Sequence, residues 1–160
     1  MRLWHGNNQK FDLFDVKEHS DVDMVVATPD KYTAEAYGKY LYYLDVHEEK
    51  ILDTDMMVNE IGKEVIVKTI RDRVDQEYDE AFVEGMYDFI IKGVEHYVEY
   101  AKGIKGLKNF SSGYLTLLYI SARCCVAFSL GYPVVTIEDG EKTSYIILPG
   151  QCLERYLEDA

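Results

Sequence analysis

Side chains that could bind a small molecule lie near both ends of the chain. His5 is followed by Gly6, Tyr37 lies in the first quarter, and Glu138 precedes Asp139. An imidazole can donate or accept a hydrogen bond near neutral pH, and a phenol ring offers a flat face to a heterocycle. A carboxylate can orient a sugar hydroxyl or accept a proton. These are the side-chain types expected around a polar ligand that contains rings.

Each of these residues also has an ordinary structural explanation. His5 with Gly6 suits a surface histidine at a strand end, where the glycine turns the chain. Tyr37 is one of 14 tyrosines, and a tyrosine on an amphipathic helix usually packs in the core with its hydroxyl outward. Asp139 with Gly140 is a common pair in hairpin turns. For Gly6 there is a second explanation, because a backbone without Cβ can approach a ligand closely. Residue types alone leave these explanations open.

Other kinds of site are not indicated by the sequence. The four histidines are scattered rather than paired at the spacing of zinc ligands, so we expect no metal. Neither a Walker loop nor a glycine-rich dinucleotide fingerprint is present. Cys124 and Cys125 lie in the most apolar stretch, where burial raises a thiol pKa, and we expect no nucleophilic role for them. Cys152 is expected to be more exposed.

The charge of the chain argues against several classes of partner. Among 160 residues, 17 Lys and Arg oppose 29 Asp and Glu, which gives a net charge of −12. Such a chain repels a phosphate backbone or an anionic membrane, so we expect no direct nucleic-acid binding. Residues 48–101 hold 15 acids and 6 bases and carry −9 of the total. We therefore expect the acidic middle to face a basic protein surface while the two ends carry the chemistry.

The sequence also indicates the cellular compartment of the protein. No apolar run approaches the roughly 20 residues that span a bilayer, and the first residues lack the apolar segment of a secretory signal. Three cysteines, two of them adjacent, suit a reduced environment better than a disulfide framework. We expect a cytoplasmic protein with no membrane partner.

The two ends of the chain have strand character. Strands are predicted at residues 2–4, 24–27, 41–46, 51–53, 134–137 and 144–148, where 41–53 is either two strands or one interrupted strand. Residues 139–142 predict a hairpin turn. Thr28, Pro29 and Asp30 predict a helix start with Thr28 as its cap, and Gly38 predicts the end of that helix.

The middle of the chain has helical character. From about residue 54 to 130 the apolar residues follow a helical period, and residues 114–130 predict a central buried helix. The last residues, 151–160, are a tail or a short helix. The sequence therefore predicts an α+β fold in which strands from both ends form one or two sheets. We expect a single domain over 1–160 with a helical insertion at about 54–130.

Taken in order, several short motifs resemble those of the ADP-ribosyltransferases. The family's first strand and Phe-rich loop are similar to Leu3-Trp4-His5-Gly6 and Phe11-Asp12-Leu13-Phe14-Asp15. Its second strand and helix are similar to Val26-Ala27-Thr28 and Ala34-Glu35-Ala36-Tyr37-Gly38. The phage anti-CRISPR branch is closer still, on Leu130-Gly131-Tyr132-Pro133, Glu138-Asp139 and Tyr145-Ile146-Ile147-Leu148-Pro149-Gly150. The resemblance covers about residues 1–53 and 130–153.

This resemblance implies a fold of split sheets and NAD-dependent mono-ADP-ribosylation of a protein. It implies that His5 hydrogen-bonds a ribose hydroxyl of NAD and that the Gly6 backbone pairs with the nicotinamide amide. Tyr37 would stack on the nicotinamide ring. The family usually places a Tyr on its second strand and a Glu on its late strand, but here Val25 and Ser144 occupy those positions. Ser144 is then a cofactor-binding residue.

The missing late-strand Glu leaves the catalytic acid to another residue. The anti-CRISPR branch places its carboxylate in the Glu-Asp turn, which implies Asp139 as the acid and Glu138 as a second candidate. The same branch implies that the acceptor is a subunit of a host CRISPR effector with a basic surface, in the host cytoplasm.

Alternatives to this anti-CRISPR transferase remain open at this point. One is a non-enzymatic acidic inhibitor that imitates DNA on a basic effector surface. The negative net charge favours this alternative, and so does the absence of the family's usual Glu, whose position is taken by Ser144. Another is a toxin-like transferase that acts on an unrelated target. The sequence also leaves the oligomeric state open, because the acidic, Tyr-rich surface could face solvent or a second copy.

Overall fold

The computed structural model describes residues 1–10, 12, 24–74, 76–93, 112–139 and 142–159, without the side chains of 112–114, 139 and 159. Most of the Phe-rich stretch at 11–15 and the predicted helix beyond residue 93 therefore lie outside the described residues. The chain divides into two compact units, Met1–Asp53 with Ala127–Ala160, and Thr54–Val126.

The first unit contains two β-sheets. Six strands form them, namely β1 (Arg2–Asn7), β2 (Val25–Ala27), β3 (Tyr40–Asp45), β4 (Ile51–Leu52), β5 (Val134–Asp139) and β6 (Lys142–Ile147). β1 and β3 form an antiparallel pair, and the other four follow the order β2-β6-β5-β4, in which β4 and β5 are parallel. The prediction of an α+β fold with strands from both ends is confirmed. An arrangement like that of the ADP-ribosyltransferases stays a prediction.

One strand prediction needs correction, and another is decided between its two alternatives. β1 continues to Asn7, so His5 and Gly6 lie inside a strand, and Gly6 does not turn the chain. The predicted stretch 41–53 is two strands that belong to different sheets, because a short 3₁₀ helix (Glu48–Lys50) redirects the chain between them.

The first helix, α1 (Lys31–Tyr37), begins later than predicted. Thr28 is not its cap, because the backbone N–H and C=O of Thr28 both pair with Trp4. The cap is Asp30, whose carboxylate accepts hydrogen bonds from the backbone N–H groups of Tyr32 and Thr33. The helix ends before Gly38, as predicted.

Apolar side chains from both ends of the chain form the core of this unit. They come from β1 to β6 and from the C-terminal helix, and include Leu3, Val25, Ala27, Leu44, Val134, Ile147 and Leu153. Val25, at the family's usual Tyr position, is thus a core residue. Residues 151–159 are a helix rather than a tail. Cys152 in that helix is buried, which corrects the expectation that it is exposed, and its thiol donates to the Phe128 carbonyl.

The second unit is helical in its described residues. It contains a π-helix (Met56–Ile61), α2 (Lys63–Arg73), α3 (Glu80–Lys92) and the part of α4 (Ser112–Leu130) up to Val126. The C-terminal helix is α5 (Gln151–Asp159). Lys63 pairs with Glu84 at 2.8 Å and Arg71 with Glu80 at 3.3 Å, so two ion pairs join α2 to α3.

A fully buried arginine lies in the helix that the sequence predicts to be apolar. Arg123 of α4 donates from Nη1 to the carbonyl oxygen of Ile90 at 2.7 Å. Ile90 lies in the last turn of α3, where helix carbonyls have no partner within the helix. Beside Arg123, burial raises the pKa of the Cys124 thiol to about 12.

Candidate functional site

A cleft of about 680 Å³ lies within the first unit. Twelve residues line it, namely Trp4, His5, Gly6, Val26, Ala27, Thr28, Thr33, Ala34, Tyr37, Lys142, Thr143 and Ser144. His5, Gly6, Tyr37 and Ser144, the residues that the resemblance implies for the cofactor, are all among them. Small-molecule sites have volumes of about 300–1,000 Å³. The cleft is therefore large enough for a dinucleotide segment.

The cleft opens where β1 and β2 separate. Trp4 and Thr28 exchange two backbone hydrogen bonds, at 2.7 and 2.9 Å, and form an isolated antiparallel bridge between the two sheets. In a continuous ladder, the next hydrogen-bonded pair would join Gly6 and Val26. That pair is not formed. The imidazole of His5 lies there instead, and its Nδ1 is 2.7 Å from the Val26 carbonyl oxygen.

The contact with Val26 fixes the tautomer of His5. A carbonyl oxygen can only accept, so Nδ1 must carry the hydrogen and donate it. In the neutral ring, Nε2 is then the acceptor nitrogen. The imidazole of His5 therefore binds the Val26 carbonyl oxygen that the Gly6 N–H would bind in a continuous ladder, and it holds the two strands apart.

The separation of the strands exposes one edge of the Gly6 peptide to the cleft. Residues two apart on a strand direct their N–H and C=O groups to the same side. Because both groups of Trp4 point to β2, those of Gly6 point to the same side, where β2 supplies no ladder partner among the described residues. The Gly6 edge thus offers one donor and one acceptor side by side. The pairing of this edge with a carboxamide, which the resemblance implies, stays a prediction.

The absence of a side chain at Gly6 has a packing reason. A Cβ at Gly6 would lie 1.9 Å from the carbonyl oxygen of Ala34 in α1, and one at Gly38 would lie 2.1 Å from the carbonyl carbon of Asn7. Both distances are far too short for any residue but glycine. The close approach of β1 and α1 is therefore enough to require glycine at position 6.

Tyr37 does not pack in the core. Its side chain is 71% exposed at the last position of α1, so the ordinary explanation for this tyrosine is wrong. Val26, also in the cleft wall, is 58% exposed between the buried Val25 and Ala27. The cleft therefore offers an aromatic and an aliphatic surface as well as polar groups.

The remaining wall comes from an overhang of β6, which the sequence analysis missed apart from Ser144. β2 ends at Ala27, opposite Tyr145, so Lys142, Thr143 and Ser144 extend past it. All three side chains are exposed. A signal for this overhang is present in the sequence, because the strand changes from polar residues to the apolar Ile146 and Ile147. Lys142 is the cationic side chain among the described lining residues.

Neither carboxylate that the resemblance implies is among the described residues that line the cleft. Asp139 is the last residue of β5 and pairs with Lys142, the first residue of β6, which agrees with the hairpin predicted over residues 139–142. Its side chain, like Gly140 and Glu141, lies outside the described residues. Glu138 is half-buried opposite Thr143 and is not among the described lining residues. The register nevertheless brings the Asp139 backbone beside a residue of the cleft wall.

Glu138 affects a neighbouring tyrosine. Burial raises the pKa of the Tyr145 phenol above its ordinary value, and the carboxylates of Asp53 and Glu138 raise it further.

The described residues contain neither a candidate metal centre nor a candidate membrane span. Within the part of the chain that the structure describes, no group of three or more His, Cys, Asp or Glu residues could hold a metal ion. No helix among the same residues is both long and apolar enough to cross a membrane.

Comparison with known proteins concerns the fold. No protein-family model and no curated protein sequence matches the chain. A solved structure described as the crystal structure of an anti-CRISPR protein is similar to it, with a TM-score of 0.54 and 21% identity. The alignment covers 94% of this chain and 90% of that chain. Nearly the whole chain therefore shares its fold with that anti-CRISPR protein.

Proposed function

We propose that this chain is an anti-CRISPR enzyme that transfers ADP-ribose from NAD to a subunit of a host CRISPR effector. The observation that carries the proposal is the open peptide edge of Gly6 in the cleft, with His5 and Tyr37 in the same wall. Each of the three matches one part of a nicotinamide riboside.

The nicotinamide end fits the junction of β1 and α1. A carboxamide has one N–H donor group and one acceptor oxygen, which complement the C=O and N–H of Gly6. The exposed ring of Tyr37 would stack on the pyridine ring, and Val26 would cover its other side. These contacts fix the base at one end of the cleft.

The ribose and the diphosphate fit the polar walls. The Nε2 of His5 accepts from a ribose hydroxyl in the neutral tautomer that the bond to Val26 selects. Thr143 and Ser144 provide hydroxyl groups, and Lys142 provides a positive charge for the diphosphate. Ser144 thus binds the cofactor in place of the family's usual Glu.

The chemistry needs no redox step. The bond between C1′ of the ribose and the pyridinium nitrogen breaks, and its electron pair leaves with the base as neutral nicotinamide. A nucleophilic side chain of the acceptor bonds to C1′ and releases its proton to water or to a carboxylate. The products are nicotinamide, an ADP-ribosylated protein and one proton.

A carboxylate would stabilise the positive charge that develops at C1′. Asp139 is the first candidate, because its backbone pairs with Lys142 at the cleft wall. Glu138 is the second candidate. It lies opposite Thr143, which also lines the cleft, and its carboxylate contributes to the raised pKa of Tyr145. Replacing each by its amide separates the two candidates.

The assignment of the target rests on the fold and the charge. The solved structure with a similar fold is described as an anti-CRISPR protein. The net charge of −12 favours a basic protein surface, such as one that otherwise holds DNA. Modification of such a surface would add two phosphates where the effector needs positive charge.

The test is incubation of the protein with labelled NAD and a purified CRISPR effector, followed by mass spectrometry of each subunit. Label on one subunit at sub-stoichiometric protein supports the proposal. Asp139→Asn should abolish transfer, Lys142→Met should raise the KM for NAD about tenfold, and exposed Lys68→Met should change neither. Inhibition that is stoichiometric and independent of NAD would overturn the enzyme and leave the acidic DNA mimic.

A further inference from the structure

Among the described residues, the outer edge of β3 has no strand partner, and its N–H and C=O groups follow a defined pattern. Met1 and Val46 exchange both backbone hydrogen bonds, so every second pair along β1 and β3 is hydrogen-bonded. Tyr42 and Leu44 therefore bond to β1, whereas Leu41 and Tyr43 direct their N–H and C=O groups away from it. No strand of the described residues pairs with that edge.

A groove follows the same edge. It has a volume of about 410 Å³ and is lined by β3 from Leu41 to Asp45 and by Leu157 of α5. Leu157 is 41% exposed. The Tyr156 hydroxyl donates to the Asp45 carbonyl at 3.1 Å, which closes the edge at that end and leaves Leu41 and Tyr43 accessible. An extended strand would fit this groove, because its backbone N–H and C=O groups can pair with those of Leu41 and Tyr43.

The edge is complementary to itself. When β3 pairs antiparallel with β3 of a second copy around Tyr42, Leu41 of each copy lies opposite Tyr43 of the other. The outward donors and acceptors of both copies are then satisfied by each other. In the same register Lys39 lies opposite Asp45 of the second copy, so a positive charge faces a negative one. Registers shifted by two residues lose this charge pairing.

We propose that β3 is a self-association edge, through which two copies join their β1–β3 sheets into one four-stranded antiparallel sheet. Asp45 already accepts two hydrogen bonds from Arg2, at 2.7 and 2.8 Å, and a carboxylate has further acceptor positions for Lys39 of the second copy. Leu157 covers one face of the incoming strand. This inference does not depend on NAD chemistry.

The pairing should be weak and dependent on concentration. A single strand pair with one flanking leucine buries less than the about 1,200 Å² of a stable standard interface. Two copies at −12 each also repel one another, although about 0.15 M salt screens most of that repulsion. We therefore expect dimers only at high protein concentration.

Hydrogen exchange and sedimentation test the proposal together. The amides of Leu41 and Tyr43 should exchange more slowly as protein concentration rises, while the Tyr42 amide is protected at every concentration. In the same range, sedimentation should move from monomer to dimer. Leu157→Glu should weaken dimerisation about tenfold, because it buries a carboxylate against the strand. Lys39→Glu should weaken it too, because like charges then face each other.

The matched control is Leu117→Glu, since Leu117 is an exposed leucine of α4 outside this unit. It should leave the dimerisation constant within about twofold, and circular dichroism should show that every variant is folded. A monomer at all concentrations would overturn the proposal, as would a dimer unaffected by Leu157→Glu. Protection of Leu41 and Tyr43 only on addition of a CRISPR effector would assign the edge to a target strand and equally overturn it.

Discussion

The Nδ1 of His5 donates a hydrogen bond to the carbonyl oxygen of Val26 at 2.7 Å, at the level where β1 and β2 stop pairing. A side chain thus occupies the place of a ladder bond. One consequence is the selected tautomer of His5, and another is the open peptide edge of Gly6. The contact between His5 and Val26 therefore keeps the cleft open and determines which hydrogen-bonding groups of His5 and Gly6 face a ligand.

The bond to Val26 and the contact with ribose use different nitrogens of His5, so they can be separated. The amide nitrogen of asparagine falls near the position of Nδ1, whereas asparagine has nothing near Nε2. His5→Asn should keep the melting temperature but lower NAD-dependent transfer about 100-fold. His5→Ala should lower both, since the Val26 carbonyl then loses its Nδ1 donor as well. Equal melting temperatures and equal residual activities in the two variants would contradict the role assigned to the Val26 bond.

Substitution of Gly6 should disturb the packing of α1 before it disturbs any ligand. The Cβ of Gly6→Ala would lie 1.9 Å from the Ala34 carbonyl oxygen, so α1 must move away from β1. We expect a loss of about 1–3 kcal/mol in the free energy of unfolding, measured in urea. Ala36→Ser, on the exposed side of α1, should change it by less than about 0.5 kcal/mol. A Gly6→Ala protein as stable as the wild type would show that the contact is not tight.

The strands and helices were largely predictable, but their pairing was not. Short apolar runs indicated most strands, because a strand is a local pattern. The separation of β1 and β2 depends on a bond between His5 and Val26, which are 21 residues apart. No local pattern shows that bond. Thr28 was mistaken for the helix cap for the same reason, since its partner Trp4 belongs to another strand.

The candidate site was predictable only in part. His5, Gly6, Tyr37 and Ser144 came from a resemblance in order and type, and the cleft contains all four. The wall residue Lys142 was not predicted, because its exposure depends on where β2 ends.

The cap of α1 should titrate with pH. The Thr33 hydroxyl, and then the backbone N–H groups of Tyr32 and Thr33, hold the pKa of Asp30 below its ordinary value. A lowered pKa in the folded state stabilises the fold above the ordinary carboxyl pKa, and this is lost as pH falls through the lowered value. The difference in melting temperature between wild type and Asp30→Asn should therefore be constant from pH 5 to 8 and shrink below about pH 4. A difference that is the same at all these pH values would contradict the assignment.

The buried arginine of the second unit should matter for stability. Arg123→Met keeps much of the side-chain volume but leaves the Ile90 carbonyl without its 2.7 Å partner. An unsatisfied buried acceptor costs about 1–3 kcal/mol, which chemical denaturation can measure. Arg155→Met, at an exposed position of α5, should cost less than about 0.5 kcal/mol. Similar losses in the two variants would mean that the Ile90 bond contributes little.

The most direct test of the central claim is the amide resonance of Gly6 in ¹⁵N-labelled protein during titration with NAD and, separately, with nicotinamide. If the Gly6 edge receives the carboxamide, its amide signal should shift in a saturable way with both ligands, and Leu41 and Tyr43 should not respond. A Gly6 amide that is unmoved at saturating NAD would contradict the account.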